Sequence, residues 1–442
     1  MMTGQEVKEK DLQYNLHSWS KQGNLNPIPV AKSEGIYFWD YEGRQYTDMS
    51  SQLVNMNLGH GNTAIIKAIQ EQAAKLCFIA PSYAVESRSE LAEMLMDLVP
   101  DNLGKVFFTN GGADANENAI KMARMFTGRN KVLSRYRSYH GSTFGAGNLT
   151  GEPRRYPLEP GIPGFVKFFD PYLYREPIAF ECPAKAAEYY VAKLREQVVY
   201  EGAKSVAAIV LETVTGSNGV IIPPDGYLQG VRKICDDYGI MLILDEVMTG
   251  FCRTGKMFAF EHWDIKPDMV TFAKGVTCGY VPLGGVVVSK EIAAYFNDNT
   301  LLCGLTYSGH PLGCAAGVGA MKYYQDADIL GNVQKVGKLL GAQLEELKEN
   351  HDCVGDVRYI GLFSAVELVK DKTTKQPLVE YGADPQGIMN RILKLLAQKG
   401  FMTYSHENMI IVAPPLIITE KQLLEEMEKL AEVLTVVDKE IL

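Results

Sequence analysis

Two charged residues close runs that are otherwise apolar. Lys274 ends DMVTFAK, and Asp245 lies at the end of IMLILDEV. A lysine at the end of a buried strand loses hydration. Its pKa then falls, and its neutral amine becomes a nucleophile able to form a Schiff base with an aldehyde. A carboxylate at the carboxyl end of a buried strand is costly unless a cation meets it. A protonated ring nitrogen or a metal ion would supply that cation. A lone lysine is ordinarily a surface residue, but Asp245 and Lys274, one α/β step apart, form a constellation. Asp-Glu after a strand also occurs in Mg²⁺ nucleotide sites, yet no P-loop accompanies this one, so a metal is not expected. Glu246 could cap a helix or join a salt bridge.

Two loops fit the same chemistry. NGGADANENA (Asn110–Ala119) lies between a strand and a helix. Backbone N–H groups at a helix start can hold a phosphate, and Gly111 and Gly112 let the anion come close. The loop is neither GxGxxG nor a Walker motif, and on its own it also reads as a plain helix cap. SYHG (Ser138–Gly141) follows the strand NKVLSRY, at the sheet edge where α/β folds place ligands. There the ring of Tyr139 could stack on a flat cofactor, or be a packed core residue.

The elements that must position these residues alternate. KVFFTN, NKVLSRY, SVAAIVLE, IMLILDEV, DMVTFAK and GGVVVS read as strands; ANENAIKMARMFTG and GYLQGVRKICDDYG read as helices ending at Gly128 and Gly239. Apolar residues on both sides of IMLIL and VAAIV predict strands covered on both faces. The fold class is therefore α/β with a mostly parallel sheet. Ahead of it, the first residues read as irregular and aromatic-rich. A β-hairpin follows around Tyr37 and Trp39, with helices over Thr63–Leu76 and Ser87–Leu98. Beyond His310 the chain is helix-rich, around Val336–Lys348, Ile388–Gln398 and Lys421–Val433. The strands VRYIGLFSAVELV and NMIIVAPPL lie between these helices. One large domain over 63–325 is expected, with a smaller α+β domain built from both ends, 1–62 and 326–442.

Composition narrows the class. The chain has 442 residues, 46% hydrophobic and 22% charged, the profile of an ordinary globular enzyme. A formal net charge of −9 argues against nonspecific nucleic-acid binding. It does not bar a small anion. Eight cysteines without a CxxC pair read as reduced thiols. No apolar run is long enough to span a bilayer, and the polar N-terminus lacks a secretory h-region. A cytoplasmic protein is expected, without membrane or nucleic-acid partners.

On these residues the chain resembles the class-III (ω-type) aminotransferases of fold type I, which depend on pyridoxal 5′-phosphate (PLP). The resemblance runs over nearly the whole length. It is carried by ILDEVMTGFCRTGKMFAFEHWDIKPDMVTFAKGVTCGYVPLGG, by GLTYSGHPLGCAA and by APPLIIT. QLVNMNLGHG looks most like the subgroup that transaminates taurine or related ω-amino acids. The resemblance implies a seven-stranded sheet and a homodimer or dimer of dimers. It also implies a ping-pong reaction between an amino donor and 2-oxoglutarate or pyruvate. Donors of the β-alanine, 4-aminobutyrate or diamine type are the alternative, and an aminomutase or a decarboxylating dialkylglycine-type enzyme a more remote one.

By the same resemblance Lys274 would carry the cofactor aldehyde and shuttle the proton, and Asp245 would hold the ring nitrogen protonated. Val247 and Tyr139 would flank the ring. Gly111, Gly112 and Ala113 would cup the phosphate, and Thr306 would reach it from the partner subunit. Glu212 would stand near the substrate entrance. Arg253 is expected only to orient or to serve an interface.

Three departures stand out. Gly111-Gly112 replaces the usual Ser-Gly, removing a hydroxyl donor worth about 1.5–3 kcal/mol toward a charged group. Asn62 follows Gly-His-Gly where relatives often carry proline, and is expected to cap a helix. Tyr404 stands where many members carry an arginine for the acceptor carboxylate, with His406 the only base nearby. That carboxylate, or a sulfonate, must be met elsewhere. Arg358 is a frequent family position though often structural, and Trp19 and Tyr83 could line the opening.

Overall fold

Strands that are apolar on both sides end up inside a sheet covered by helices on both faces. The computed structural model describes residues 2–441. Seven strands form the central sheet: β1 (Leu103–Thr109), β2 (Lys131–Arg135), β3 (Phe165–Phe168), β4 (Val206–Glu212), β5 (Met241–Asp245), β6 (Met269–Phe272) and β7 (Gly284–Ser289). Their order is β1-β7-β6-β5-β4-β2-β3. The run β6-β5-β4-β2-β3 is parallel, whereas β7 is antiparallel to both of its neighbours. Alternation sends side chains to two cores. Ile209, Leu211, Leu242, Leu244, Val270 and Phe272 join one apolar cluster, and Ala208, Val210, Ile243 and Met269 join the other.

The helix Gly112–Thr127 covers the second of these faces, with Ala115, Ala119, Ile120 and Ala123 buried. It stops at Gly128, whose φ of +67° makes the left-handed cap that glycine adopts without a Cβ penalty. Asn62 caps the helix Thr63–Lys75, accepting from the N–H groups of Ala64 and Ile65.

The two ends of the chain meet. Val30–Glu34, Tyr37–Asp40 and Gln45–Asp48 form a sheet whose fourth strand is Phe401–Met402, paired in parallel with Thr47 and Asp48. A third sheet holds Val354–Ile360, Phe363–Asp371, Met409–Val412 and Ser405–His406, with Gln376–Pro377 added beside Phe363–Asp371. Arg253 stitches these parts to the large sheet. Its buried guanidinium donates to the carbonyls of Leu362 and Pro414, to Ser51 Oγ and to Asn57 Oδ1.

The start of the chain differs from the sequence expectation. Gly4–Tyr14 is a helix, not an irregular stretch. Thr3 and Glu6 close a capping box at its start, satisfying two otherwise orphaned N–H groups. The helices Pro183–Tyr200 and Lys290–Asp298 and the strand β3 were likewise not read from the sequence. None of the helices among the described residues is long and apolar enough to cross a membrane.

Candidate active site

Parallel strands bring their carboxyl ends to one edge, where side chains leave the apolar layers. Glu212 ends β4 and Asp245 ends β5, and the two are register partners; Asp245 also pairs with Thr271 of β6. Lys274 follows β6 in a single tight turn with φ of +43°. This is a left-handed conformation that a non-glycine residue keeps only when its surroundings enforce it. These residues open on a cavity of about 780 Å³. Gly111, Gly112, Ala113, Tyr139 and Val247 also line it, as do Trp19, Tyr404 and His406.

Asp245 is held from three directions. Its Oδ1 accepts from the Val247 N–H at 3.0 Å. Its Oδ2 accepts from Asn116 Nδ2 at 2.8 Å and lies 2.7 Å from His140 Nδ1. Asn116 is itself fixed, donating to the His140 carbonyl and accepting from Thr271 Oγ1. A buried carboxylate tied down this way presents its charge to the cavity at a set position, as a cationic ring nitrogen requires. Glu246 points away from the cavity, accepting from Thr213, Thr249 and the N–H groups of Ala259 and Phe260. Burial pushes its carboxyl up to about 7.

Lys274 is poised for amine chemistry. Burial lowers its pKa to about 8, against the opposing pull of Asp245 and Glu212. Burial also raises the Glu212 carboxyl; its Oε1 accepts from the Gly216 N–H at 2.9 Å.

The start of the Gly112–Thr127 helix faces the same cavity, and its N-cap residue, Gly111, offers no side chain to the first-turn N–H groups. Those donors remain for an anion. Gly112 is required by a close approach: a Cβ there would lie 2.9 Å from both methyls of Val247. The substitution Gly112→Ala is expected to weaken PLP binding about tenfold, because overpacking of this kind costs about 1–3 kcal/mol. Titration of the apoenzyme with PLP measures this; unchanged affinity would show that Val247 moves aside freely.

Two expected residues lie outside the cavity lining of their own chain. Tyr83 is exposed, and so is Thr306. Arg88 gathers their segments together, donating to the carbonyls of Gly309 and Tyr83. Arg358 is also remote from the cavity lining. It pairs with Glu367 and Asp356 and donates to the Gly219 carbonyl.

The structure adds residues that the sequence reading missed. Asn116 and His140 support Asp245. Arg154 enters the cavity with its guanidinium 3.9 Å from the ring centre of Tyr139 and 5.4 Å from that of Trp19. It pairs with Glu152 and donates to Ser217 Oγ at 3.1 Å. Apart from Glu152, two residues away, the partners of Arg154 come from three other stretches of chain, so no local spacing marks it.

A buried anion at a strand end, a softened lysine beside it and a donor-rich helix start fit PLP in its ring, aldehyde and phosphate. Comparison agrees with this geometry. Residues 19–434 match the model of the class-III aminotransferase family, and the chain belongs to that family. It is a PLP-dependent transaminase with the fold type I architecture, and its substrates are an amino donor and a 2-oxo acid acceptor. The chain is 53% identical to the taurine:2-oxoglutarate aminotransferase of Bifidobacterium kashiwanohense, solved with PLP and glutamate, with a TM-score of 0.98 and 100% of both chains covered. It is 35% identical to an (S)-enantioselective ω-transaminase from Thermomicrobium roseum, with a TM-score of 0.93 over 99% of this chain and 100% of the other. The taurine–pyruvate aminotransferase of Bilophila wadsworthia is 31% identical, with 98% of each chain covered.

Proposed function

We propose that this enzyme transfers the amino group of taurine, or of a closely related ω-amino compound, to 2-oxoglutarate or pyruvate. With taurine the aldehyde product is sulfoacetaldehyde. The observation that carries this reading is Arg154. Lys274 and Arg154 are the only lysine or arginine among the described residues lining the cavity. Lys274 is committed to the cofactor, so Arg154 is left to meet a sulfonate or carboxylate. Tyr404 occupies the position where many relatives carry an arginine. His406 is no substitute, because burial and the nearby Arg154 and Arg137 push its pKa down to about 4. The 53% identical relative favours 2-oxoglutarate as acceptor.

Bound PLP supplies an electron sink for negative charge on the carbon that bears the transferred nitrogen. In this reading Asp245 keeps the proton on the ring nitrogen, and Asn116 and His140 keep Asp245 in place. Val247 and Tyr139 would hold the ring between them. The first-turn N–H groups at Gly112 and Ala113 bind the phosphate. Lys274 Nζ would take the proton from the nitrogen-bearing carbon of the donor and return it on the far side of that nitrogen, and in the second half reaction it would run the same transfer backward on the 2-oxo acid. Arg154 orients both substrates by their anionic groups. Since one Lys274 and one Arg154 serve both, the donor must leave as aldehyde before the acceptor enters, which is ping-pong order.

The test is a donor panel of taurine, hypotaurine, β-alanine, 4-aminobutyrate and putrescine, each with 2-oxoglutarate and with pyruvate. Taurine with 2-oxoglutarate is expected to give the highest kcat/KM and parallel double-reciprocal lines. A preference for putrescine, which has no anionic group, would overturn the role given to Arg154. Replacing Arg154 by Gln is expected to raise KM for taurine and 2-oxoglutarate by on the order of 10- to 100-fold, the worth of a charged hydrogen-bonded contact. Steady-state kinetics on both substrates check this.

The same reading includes a homodimer. Thr306 is exposed, and Phe78, Tyr83, Leu302 and Tyr307 expose large apolar surfaces on the neighbouring segments. A partner covering this face would bring its own Thr306 to the phosphate. A fully active monomer in sedimentation would refute it. The eight cysteines, all unpaired, suit the reducing cytoplasm.

A further inference from the structure

Behind Arg154 lies a group of side chains that the reaction does not use. Glu152 is fully buried. Its Oε1 pairs with Arg154, and its Oε2 has no hydrogen-bond partner. His406 Nε2, also without a hydrogen-bond partner, lies 3.5 Å from that Oε2 and 3.9 Å from Glu407 Oε1. Glu407 Oε1 is unpartnered as well, while its Oε2 is 3.7 Å from Arg137. Three buried polar atoms thus converge without a hydrogen bond. Such groups are expensive unless a proton or a ligand completes them.

The charges balance only in the absence of substrate. With Glu152 and Glu407 both ionised and the His406 ring neutral, the two carboxylates offset the two guanidiniums of Arg154 and Arg137. A sulfonate or carboxylate arriving at Arg154 adds an uncompensated negative charge beside Glu152. In a site this desolvated that imbalance is costly. We propose that the Glu152–His406–Glu407 cluster takes up one proton when an anionic substrate engages Arg154, so that substrate affinity is set by this cluster as well as by Arg154. This inference rests on the reading of Arg154 as the anion site. A proton on the His406 imidazole places a cation between two carboxylates and releases Arg154 from Glu152 to the substrate.

The surroundings favour this direction. In the free site burial, Arg154 and Arg137 keep the His406 ring unprotonated. Burial raises Glu152, and burial raises Glu407 to about 7, so that both carboxyls already lean toward accepting a proton. The other titratable groups facing the cluster include Tyr139 and Tyr381, and more distantly Tyr156, Tyr404, Glu212, Glu367 and Lys274. An anion bound at Arg154 raises the proton affinity of the carboxylates and the imidazole near it.

Ethanesulfonate is taurine without its amine and stays a monoanion throughout, so it probes the site without reacting. With the PLP-loaded enzyme its competitive inhibition constant is expected to rise about tenfold per pH unit on the alkaline side of the profile, the slope for one linked proton. Calorimetry in two buffers of different ionisation enthalpy should show one proton taken up per ethanesulfonate. In His406→Gln the slope and the proton uptake are expected to disappear. In Glu152→Gln binding is expected to tighten, about tenfold, and to lose its pH dependence, a gain that damage to the fold would not produce. If Arg154→Gln leaves ethanesulfonate binding unchanged, the anion-site reading fails. If binding requires Arg154 but takes up no proton, or if the slope survives in both cluster variants because Lys274 supplies it, the cluster proposal alone is overturned.

Discussion

Lys274→Ala is expected to lower turnover by at least about a thousandfold, the scale of a lost general base, while PLP stays bound. In the proposed mechanism this amine is the proton carrier, and no other lysine among the described residues lines the cavity. The N–H groups proposed to hold the phosphate, at the Gly112–Thr127 helix start, are untouched, so the cofactor should survive dialysis against buffer. Its retention, read from absorbance beside steady-state rates, separates a chemical defect from a binding one. A small primary amine added to the variant should restore part of the rate, since it supplies the missing base from solution. Normal turnover in the variant would end the catalytic assignment. The wild-type chain carries a pH signature of the same group. With a pKa of about 8 in place of 10.5, about one Lys274 in ten is neutral at pH 7, against about one in three thousand for an unperturbed lysine. Loading of the apoenzyme with PLP is therefore expected to slow as pH falls below 8, because the neutral amine is the reactive form.

Asp245→Asn is expected to cost on the order of 100- to 1,000-fold in kcat, as when one preorganised electrostatic partner is lost. The substitution keeps size and shape. Its amide oxygen can still accept from Asn116 and His140, which now reach Oδ2. What disappears is the negative charge. A neutral amide that donates toward the ring nitrogen favours the unprotonated ring, and the electron sink weakens. The thermal unfolding temperature should fall by a few degrees, since an amide has one oxygen: with that oxygen kept toward Asn116 and His140, the –NH2 replaces Oδ1 and the Val247 N–H loses its acceptor. An unaltered kcat would refute the ring-nitrogen role.

The parts of this enzyme that were legible in the sequence share a short range. An apolar run ending in a charged residue is a local pattern, and in a parallel sheet every such end lies at one edge. Asp245 and Lys274 were therefore readable as a pair before any coordinates, as was Asn62 as a cap. The N-terminal helix Gly4–Tyr14 shows the reverse case. Its Thr3–Glu6 capping box was present in the sequence, but the stretch lacks the apolar periodicity that announces a helix packed on a core, and Gly4 is its only buried residue.

The amino acid sequence alone determined the α/β alternation and the candidates for the chemistry: a lysine and a carboxylate at neighbouring strand ends and a glycine-rich helix start. Only the tertiary structure brought together the groups proposed to meet the substrate. Arg154, Glu152, Trp19, His406 and Glu407 are brought together from the first residues, from the stretch after β2 and from the chain's far end. Chain separation hides such a cluster from any local pattern. Charge balance in a buried cavity depends on distances through space. The supports of Asp245 follow the same rule: His140 and Asn116 meet it across two separate loops and helices, and only the packing of the Gly112–Thr127 helix over the sheet puts them within 3 Å.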